Sequence, residues 1–245
     1  ATTASNNVAI GTLALTANSS GTDNTAVGYA AGDAVTTGND NTLVGDNAGG
    51  ATTTGDNNVA IGSGALDANS TGSDNTAVGY NALTASTTAT KNTALGYSAG
   101  EAITTGDRNI TIGYNSGKLI DEGIKNVAVG SYSLDATTTG DSNVAIGQSA
   151  LGANTTADDN VAVGATALTA NTTGTRNVAV GSTALDANTT ANDNTAIGYG
   201  SLGVNTTGAS NTSVGAYSLD ANSTASNNTA VGYASLGANT TGTEN

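Results

Sequence analysis

The sequence predicts an all-β fold, a parallel β-solenoid of short repeated coils, and three observations carry that expectation. An asparagine recurs every seventeen residues with no insertion anywhere in the chain, and a glycine follows it four residues later in every copy. The segments between the repeated residues are about five residues long, which is strand length and too short for a stable helix.

The asparagines stand at Asn7, Asn24, Asn41, Asn58, Asn75, Asn92, Asn109, Asn126, Asn143, Asn160, Asn177, Asn194, Asn211 and Asn228, and Asn245 closes the series. With that Asn as position one, the consensus reads N-[V/T]-A-[V/I]-G-x-x-[A/S]-[L/G]-x-A-N-T-T-G-x-x. Fourteen coils follow it, so residues 1–245 read as one continuous repeat domain. Both chain ends fall inside a coil, and the sequence therefore reads as an excerpt or a mature piece. An indel-free period suits stacked strands, because one extra residue would turn every following side chain to the wrong face.

Position five is Gly in all fourteen copies, including Gly62, Gly79, Gly96, Gly113, Gly130 and Gly147, and position fifteen is Gly in ten copies and Ala in four. A glycine fixed in this way marks a turn or a close backbone approach, so each coil is expected to have two corners. Two segments lie between them, such as Val59-Ala60-Ile61 and Ala65-Leu66-Asp67-Ala68, and both are read as strands. Two short strands and two turns then make one coil, and coils stack at the ordinary strand spacing.

In such a stack the invariant Asn lies above its own copies. Its amide both donates and accepts, so Asn58, Asn75, Asn92, Asn109, Asn126, Asn143, Asn160 and Asn177 are expected to form a structural ladder rather than a binding site. A compensation between copies points to a shared interior. Position nine is Leu in ten coils, with a polar residue at position twelve; where it is Gly32, Gly49, Gly100 or Gly117, position twelve becomes Val35, Thr52, Ile103 or Ile120. Volume lost at one place returns three residues later in three of the four.

Composition excludes several functions. The chain has no Cys, His, Met, Trp, Phe or Pro and carries a net charge of −14 with only five cations. No thiolate or imidazole metal site is available, and no Ser or Thr has a recurring base partner, so no catalytic residues, enzyme activity or cofactor are expected. The acidic balance argues against nucleic acid or an anionic membrane surface as partner, and no apolar run approaches the length of a membrane span. Acidic side chains gather at position ten (Asp33, Asp67, Asp135, Asp186, Asp220) and at positions sixteen and seventeen. Stacked carboxylates suggest calcium, yet the G-G-x-G-x-D pattern of calcium-binding β-rolls is absent, and solvated turn residues are the plainer reading.

All eight tyrosines fall just after the invariant glycine: Tyr29, Tyr80, Tyr97, Tyr114, Tyr199 and Tyr233 at position six, Tyr132 and Tyr217 at position seven. They are expected to line one edge, either as a surface for sugars or for other chains or as covers for the glycine corner. Position twelve supplies N-x-[S/T] triplets at Asn18, Asn69, Asn154, Asn171, Asn188, Asn205, Asn222 and Asn239, which would be surface glycan acceptors or else turn composition. Thr pairs at positions thirteen and fourteen raise ice binding as a minor reading. The seventh coil departs furthest from consensus, at Gly117 to Lys125, and is a candidate for a specific contact.

The strings Asn-Thr-Ala-Val-Gly-Tyr (24–29, 75–80, 228–233) and Asn-Val-Ala-Ile-Gly (58–62, 143–147) resemble the head repeats of YadA-like trimeric autotransporter adhesins and the shaft repeats of phage-type tail fibres. The resemblance covers the whole chain. It implies a left-handed parallel β-roll, commonly a homotrimer, that displays or extends an adhesive tip at the cell surface. Adhesin heads commonly repeat at a shorter period, so the additional residues here enlarge a turn. The function expected is a structural or adhesive segment of a secreted extracellular fibre or surface adhesin, self-associating as a trimer or end to end, with host or surface glycans as a further partner at the Tyr edge; the alternative is a soluble module for ice or glycan surfaces.

The residues leave one structural question open. Positions two and four share a face, and the Ala at three points the other way. Either the Ala face fills a thin roll and the aliphatic face lies outside, where other chains would bury it, or the aliphatic face fills the roll and a single chain suffices.

Overall fold

A computed structural model describes residues 3–245. It contains fourteen three-residue strands: β1 (Val8–Ile10), β2 (Thr25–Val27), β3 (Thr42–Val44), β4 (Val59–Ile61), β5 (Thr76–Val78), β6 (Thr93–Leu95), β7 (Ile110–Ile112), β8 (Val127–Val129), β9 (Val144–Ile146), β10 (Val161–Val163), β11 (Val178–Val180), β12 (Thr195–Ile197), β13 (Thr212–Val214) and β14 (Thr229–Val231). The described residues contain no helix. The chain divides into two compact units, the first running to Ile124 and holding β1–β7, the second starting at Lys125 and holding β8–β14. Each unit is a β-solenoid. Within each unit consecutive strands pair in parallel and in strict register, as in Val59↔Thr76 and Ala60↔Ala77 of the first and Val161↔Val178 of the second.

Each coil has one strand, not two. The segment Ala65-Leu66-Asp67-Ala68 is a pair of successive turns, closed by Ala65 N–H to Gly62 O at 3.2 Å and Asn69 N–H to Leu66 O at 3.2 Å. The physical reason lies in its side chains. Ala65 and Leu66 are neighbours and both are fully buried, which an extended strand forbids because successive residues face opposite ways. The backbone brings both inward by taking the left-handed region at positions seven and nine, φ +67° at Gly64 and +54° at Leu66. A leucine there is strained by about 1–2 kcal/mol, and burying its side chain offsets this with roughly 1.5–3 kcal/mol. The turns still stack: Leu66 N–H donates to Ala82 O and Ala68 N–H to Thr84 O of the next coil, at 2.9 and 3.0 Å.

The first corner is as expected. Gly62 has φ +132°, and a Cβ there would stand 2.5 Å from the carbonyl oxygen of Gly79 in the next coil. The second corner turns elsewhere. Position fifteen keeps an ordinary φ and accepts Ala89, Ala157, Ala191 and Ala225, whereas position seventeen is left-handed, for example Asn57 at +58° and Asp74 at +61°. Asn and Asp enter that region at least cost among residues with a side chain, so the bend falls two residues after the glycine at which the sequence predicts it.

The interior is a thin layer of small residues. The middle residue of each strand is buried in β2–β14, while its two neighbours are half-exposed or exposed. The Ala face therefore fills the roll, against Ala at position eight and Leu at position nine, and the aliphatic face lies outside. The Gly-for-Leu coils are repaired as the sequence suggests: a Cβ on Gly100 would stand 3.0 Å from Ile103 Cδ1, and one on Gly32 would stand 3.2 Å from Val35 Cγ2. A second repair comes from position three. Leu43 replaces Ala beside Gly32 and Gly49, and Thr111 does so beside Gly100 and Gly117. Where Ser213 takes position three, its hydroxyl donates to Ser218 O at 2.8 Å and accepts from the Ser201 hydroxyl at 2.7 Å.

Candidate functional site

The Asn column is buried from Asn24 to Asn228 and is structural. In the first unit Asn75 donates its backbone N–H and its Nδ2 to Asn58 Oδ1 at 3.1 and 3.2 Å, while Asn58 Nδ2 reaches Gly72 O at 2.9 Å. In the second, Asn177 repeats this on Asn160 and reaches Ala191 O at 2.8 Å. Each amide thus ties one coil to the coil before it and closes its own coil across position fifteen. The expected ladder residues Asn58, Asn75, Asn92, Asn109, Asn126, Asn143, Asn160 and Asn177 are all buried.

A second Asn ladder, missed in the sequence, runs at position twelve. Asn69, Asn154, Asn171, Asn188, Asn205 and Asn222 are fully buried; Asn188 Nδ2 donates to Asn171 Oδ1 at 2.9 Å and to Ala191 O at 3.2 Å. These triplets are not surface glycan acceptors, because the amide nitrogen that would carry a sugar is enclosed and already donates. The alternation of Asn with Val35, Ile103 and Ile120 in this column was the available signal of an interior site.

The acidic columns divide by role. At position sixteen the carboxylates accept backbone N–H groups of the preceding coil, Asn39 N–H to Asp56 Oδ1 at 2.7 Å, Thr90 N–H to Asp107 Oδ1 at 2.6 Å and Asp141 N–H to Asp158 Oδ1 at 2.7 Å. At position seventeen Arg176 forms a two-point pair with Asp193 at 2.7 and 2.9 Å on the open surface, where such pairs stabilise little. At position ten, burial pushes the carboxyls of Asp67, Asp135 and Asp186 above their ordinary range, and at Asp67 the charges of Asp33 and Asp46 add to it. Among the described residues no group of three or more acidic side chains gathers as a metal site would require.

The tyrosines are exposed and form rows. Tyr80, Tyr97 and Tyr114 stack ring on ring, centroids 5.2 and 5.3 Å apart with planes inclined by 18° and 17°. Tyr199, Tyr217 and Tyr233 meet edge to face at 5.3 and 6.2 Å, and Tyr29 and Tyr132 are also exposed. In the stacked row each inner face is covered by the next ring, so Tyr97 offers edges and a hydroxyl rather than a platform for a sugar. The Thr pairs do not make a flat array either. Position thirteen is largely half-buried, its hydroxyl tied to the next coil, as Thr53 Oγ1 is to Ser70 O at 2.9 Å, and position fourteen is exposed in every coil after the first. In the seventh coil the departures are mostly local repairs: Ile120 fills beside Gly117, and Lys118 pairs with Glu101 at 3.6 Å.

The most extensive surface feature is the outer face of the strands. Positions two and four hold Val, Ile, Leu or Thr in every coil and no charged residue. Ile61, Leu95, Ile146 and Ile197 are 40–48 % exposed there. No pocket opens anywhere among the described residues, so whatever this chain contacts meets a surface.

No protein-family model, curated protein or solved structure matches the chain. The class that its fold and repeated columns define is the β-solenoid repeat protein.

Proposed function

We propose that this chain is a structural or adhesive segment of an extracellular fibre or surface adhesin, with no catalytic role, and that it works in association with copies of itself. The observation that supports the reading is the outer strand face: a regular, uncharged aliphatic surface repeated in every coil, on a chain whose charges are confined to the turns. Exposed apolar surface of that extent is costly unless another surface covers it, and a repeat presents the same contact at every rung, as a symmetric homo-oligomer needs. The likeness of the Asn-Thr-Ala-Val-Gly-Tyr strings to trimeric adhesin heads and fibre shafts agrees with a homotrimer.

Sedimentation equilibrium combined with small-angle scattering tests the reading. A trimer is expected at micromolar concentration, and Ile146→Glu with Ile197→Glu, both on the outer face, should shift it towards monomer without loss of β circular dichroism. A stable monomer at tens of micromolar, with the apolar face open to solvent, would overturn it.

A further inference from the structure

The tyrosine row lies outside anything the fold requires. Tyr80, Tyr97 and Tyr114 sit on three successive coils with centroids 5.2 and 5.3 Å apart and nearly parallel planes. Serine, alanine or glutamine fills the same column in other coils, at Ser63, Ala165 and Gln148, so the corner does not need a ring. The three phenols are 49, 48 and 46 % exposed and open to an oxidant in solution. The chain has no Cys, Met, Trp or His. The side chains that ordinarily take up oxidising equivalents first are missing, and phenol is what remains.

We propose that Tyr80, Tyr97 and Tyr114 form an oxidative cross-linking site, at which a one-electron oxidant of the haem-peroxidase class couples neighbouring rings into dityrosine and staples successive coils. Each phenol gives the oxidant one electron and its hydroxyl proton. The two phenoxyl radicals join by a carbon–carbon bond between ring positions ortho to oxygen, and the hydrogen on each joined carbon moves to its own oxygen as aromaticity returns. The net loss is two electrons and two protons per link, which reduce one hydrogen peroxide to two waters through the peroxidase. Stacking holds the second ring beside the first, so coupling needs a rocking of side chains and no diffusion of chains. Each link would close a loop across one coil and restrain it from unwinding, as other cross-links do.

Tryptic mapping decides the matter, because Lys91 lies between Tyr80 and Tyr97 and Arg108 between Tyr97 and Tyr114. The full chain, dilute and folded, is treated with a haem peroxidase and hydrogen peroxide, digested and mapped by mass spectrometry. The expected products join the Tyr80 peptide to 92–108, and 92–108 to 109–118, each short of two hydrogens and showing dityrosine fluorescence, in a yield that does not change on dilution. Tyr97→Phe keeps the ring and the fold but should abolish both joined products, while Tyr29→Phe should leave them intact. Three results would overturn the proposal: no joined peptides, joined peptides whose yield falls on dilution, or equal yield from chain unfolded in urea.

Discussion

Leu43 fills the space that a side chain at Gly49 would otherwise take: its Cδ2 lies 2.7 Å from where a Cβ on Gly49 would stand, and its Cδ1 lies 2.5 Å from the corresponding point on Gly32. One large residue at position three thus serves two coils that lack the usual leucine. Leu43→Ala should leave a cavity spanning both and lower stability by about 2–5 kcal/mol, read from urea melts. Restoring the consensus in one coil with Gly49→Leu in the Leu43→Ala background should recover part of the loss, since Gly49 has φ +60° and Leu66 occupies the equivalent place at +54°. In the wild-type background the same Gly49→Leu change should destabilise by overpacking.

Thr111 plays the partner role beside Gly100 and Gly117, and it does so with a flaw. Its Oγ1 is buried with no hydrogen-bond partner, so the hydroxyl is desolvated for nothing. Thr111→Val keeps the shape and removes the unsatisfied group. It should raise stability by about 1 kcal/mol and the melting temperature with it, and an unchanged or lowered melting temperature would show that the hydroxyl is satisfied in solution.

The Asn ladder predicts the opposite response. Asn143 donates to Asn126 Oδ1 and Ala157 O, and accepts from Asn160. Asn143→Ala leaves the Asn160 N–H unpartnered in a buried site, at about 1–3 kcal/mol, and removes the nearer of two donors from Ala157 O, which keeps Asn154 Nδ2 at 3.2 Å. Thr156→Ala, on the exposed fourteenth position, should lie within about 0.5 kcal/mol of wild type. Equal melting shifts for the two would mean that the ladder contributes nothing.

How far the sequence spoke for the fold can be judged from particular residues. The seventeen-residue period, the glycine at position five and the Asn column suffice for a solenoid, since each depends on stacking identical coils. The second strand is not legible, because Leu66 follows Ala65 as an apolar pair and sequence alone does not reveal that both are buried through a left-handed leucine. Position fifteen suggests a corner because it is rich in glycine, although its four alanines argue against a positive φ. The difference between the two glycine columns is measurable: a methyl at Gly62 would crowd Gly79 O and one at Gly72 would crowd Ala89 O, but only Gly62 has a positive φ, +132°, and the other column already holds Ala89, Ala157, Ala191 and Ala225, so Gly62→Ala should cost more than Gly72→Ala in urea melts. The outer face is not decided by pattern, because Val and Ala alternate equally well either way; burial decides it, with the position-three residues Ala60 and Ala162 fully buried and Ile61 and Ile146 of position four exposed.

Column ten gives the chain a stability that should rise on mild acidification. Burial raises the carboxyl of Asp67 above its ordinary value, with Asp33 and Asp46 adding to it, and burial raises those of Asp135 and Asp186. A carboxyl whose folded value exceeds its unfolded value holds more protons in the folded chain over the interval between the two, so folding stability falls as pH rises through that interval. The penalty is present in full at neutral pH and vanishes below the unfolded value, about 3.9 for Asp. Melting temperature should therefore climb as pH is lowered from about 7 towards about 4, and the reduction of net charge from −14 acts in the same direction. The two causes separate by mutation. Asp67→Asn should raise the melting temperature at neutral pH and flatten the climb, whereas Asp74→Asn, an equal charge change at an exposed position, should shift the curve by less and leave its slope near that of wild type. If both substitutions flatten the curve equally, general repulsion and not the burial of Asp67 sets the pH response.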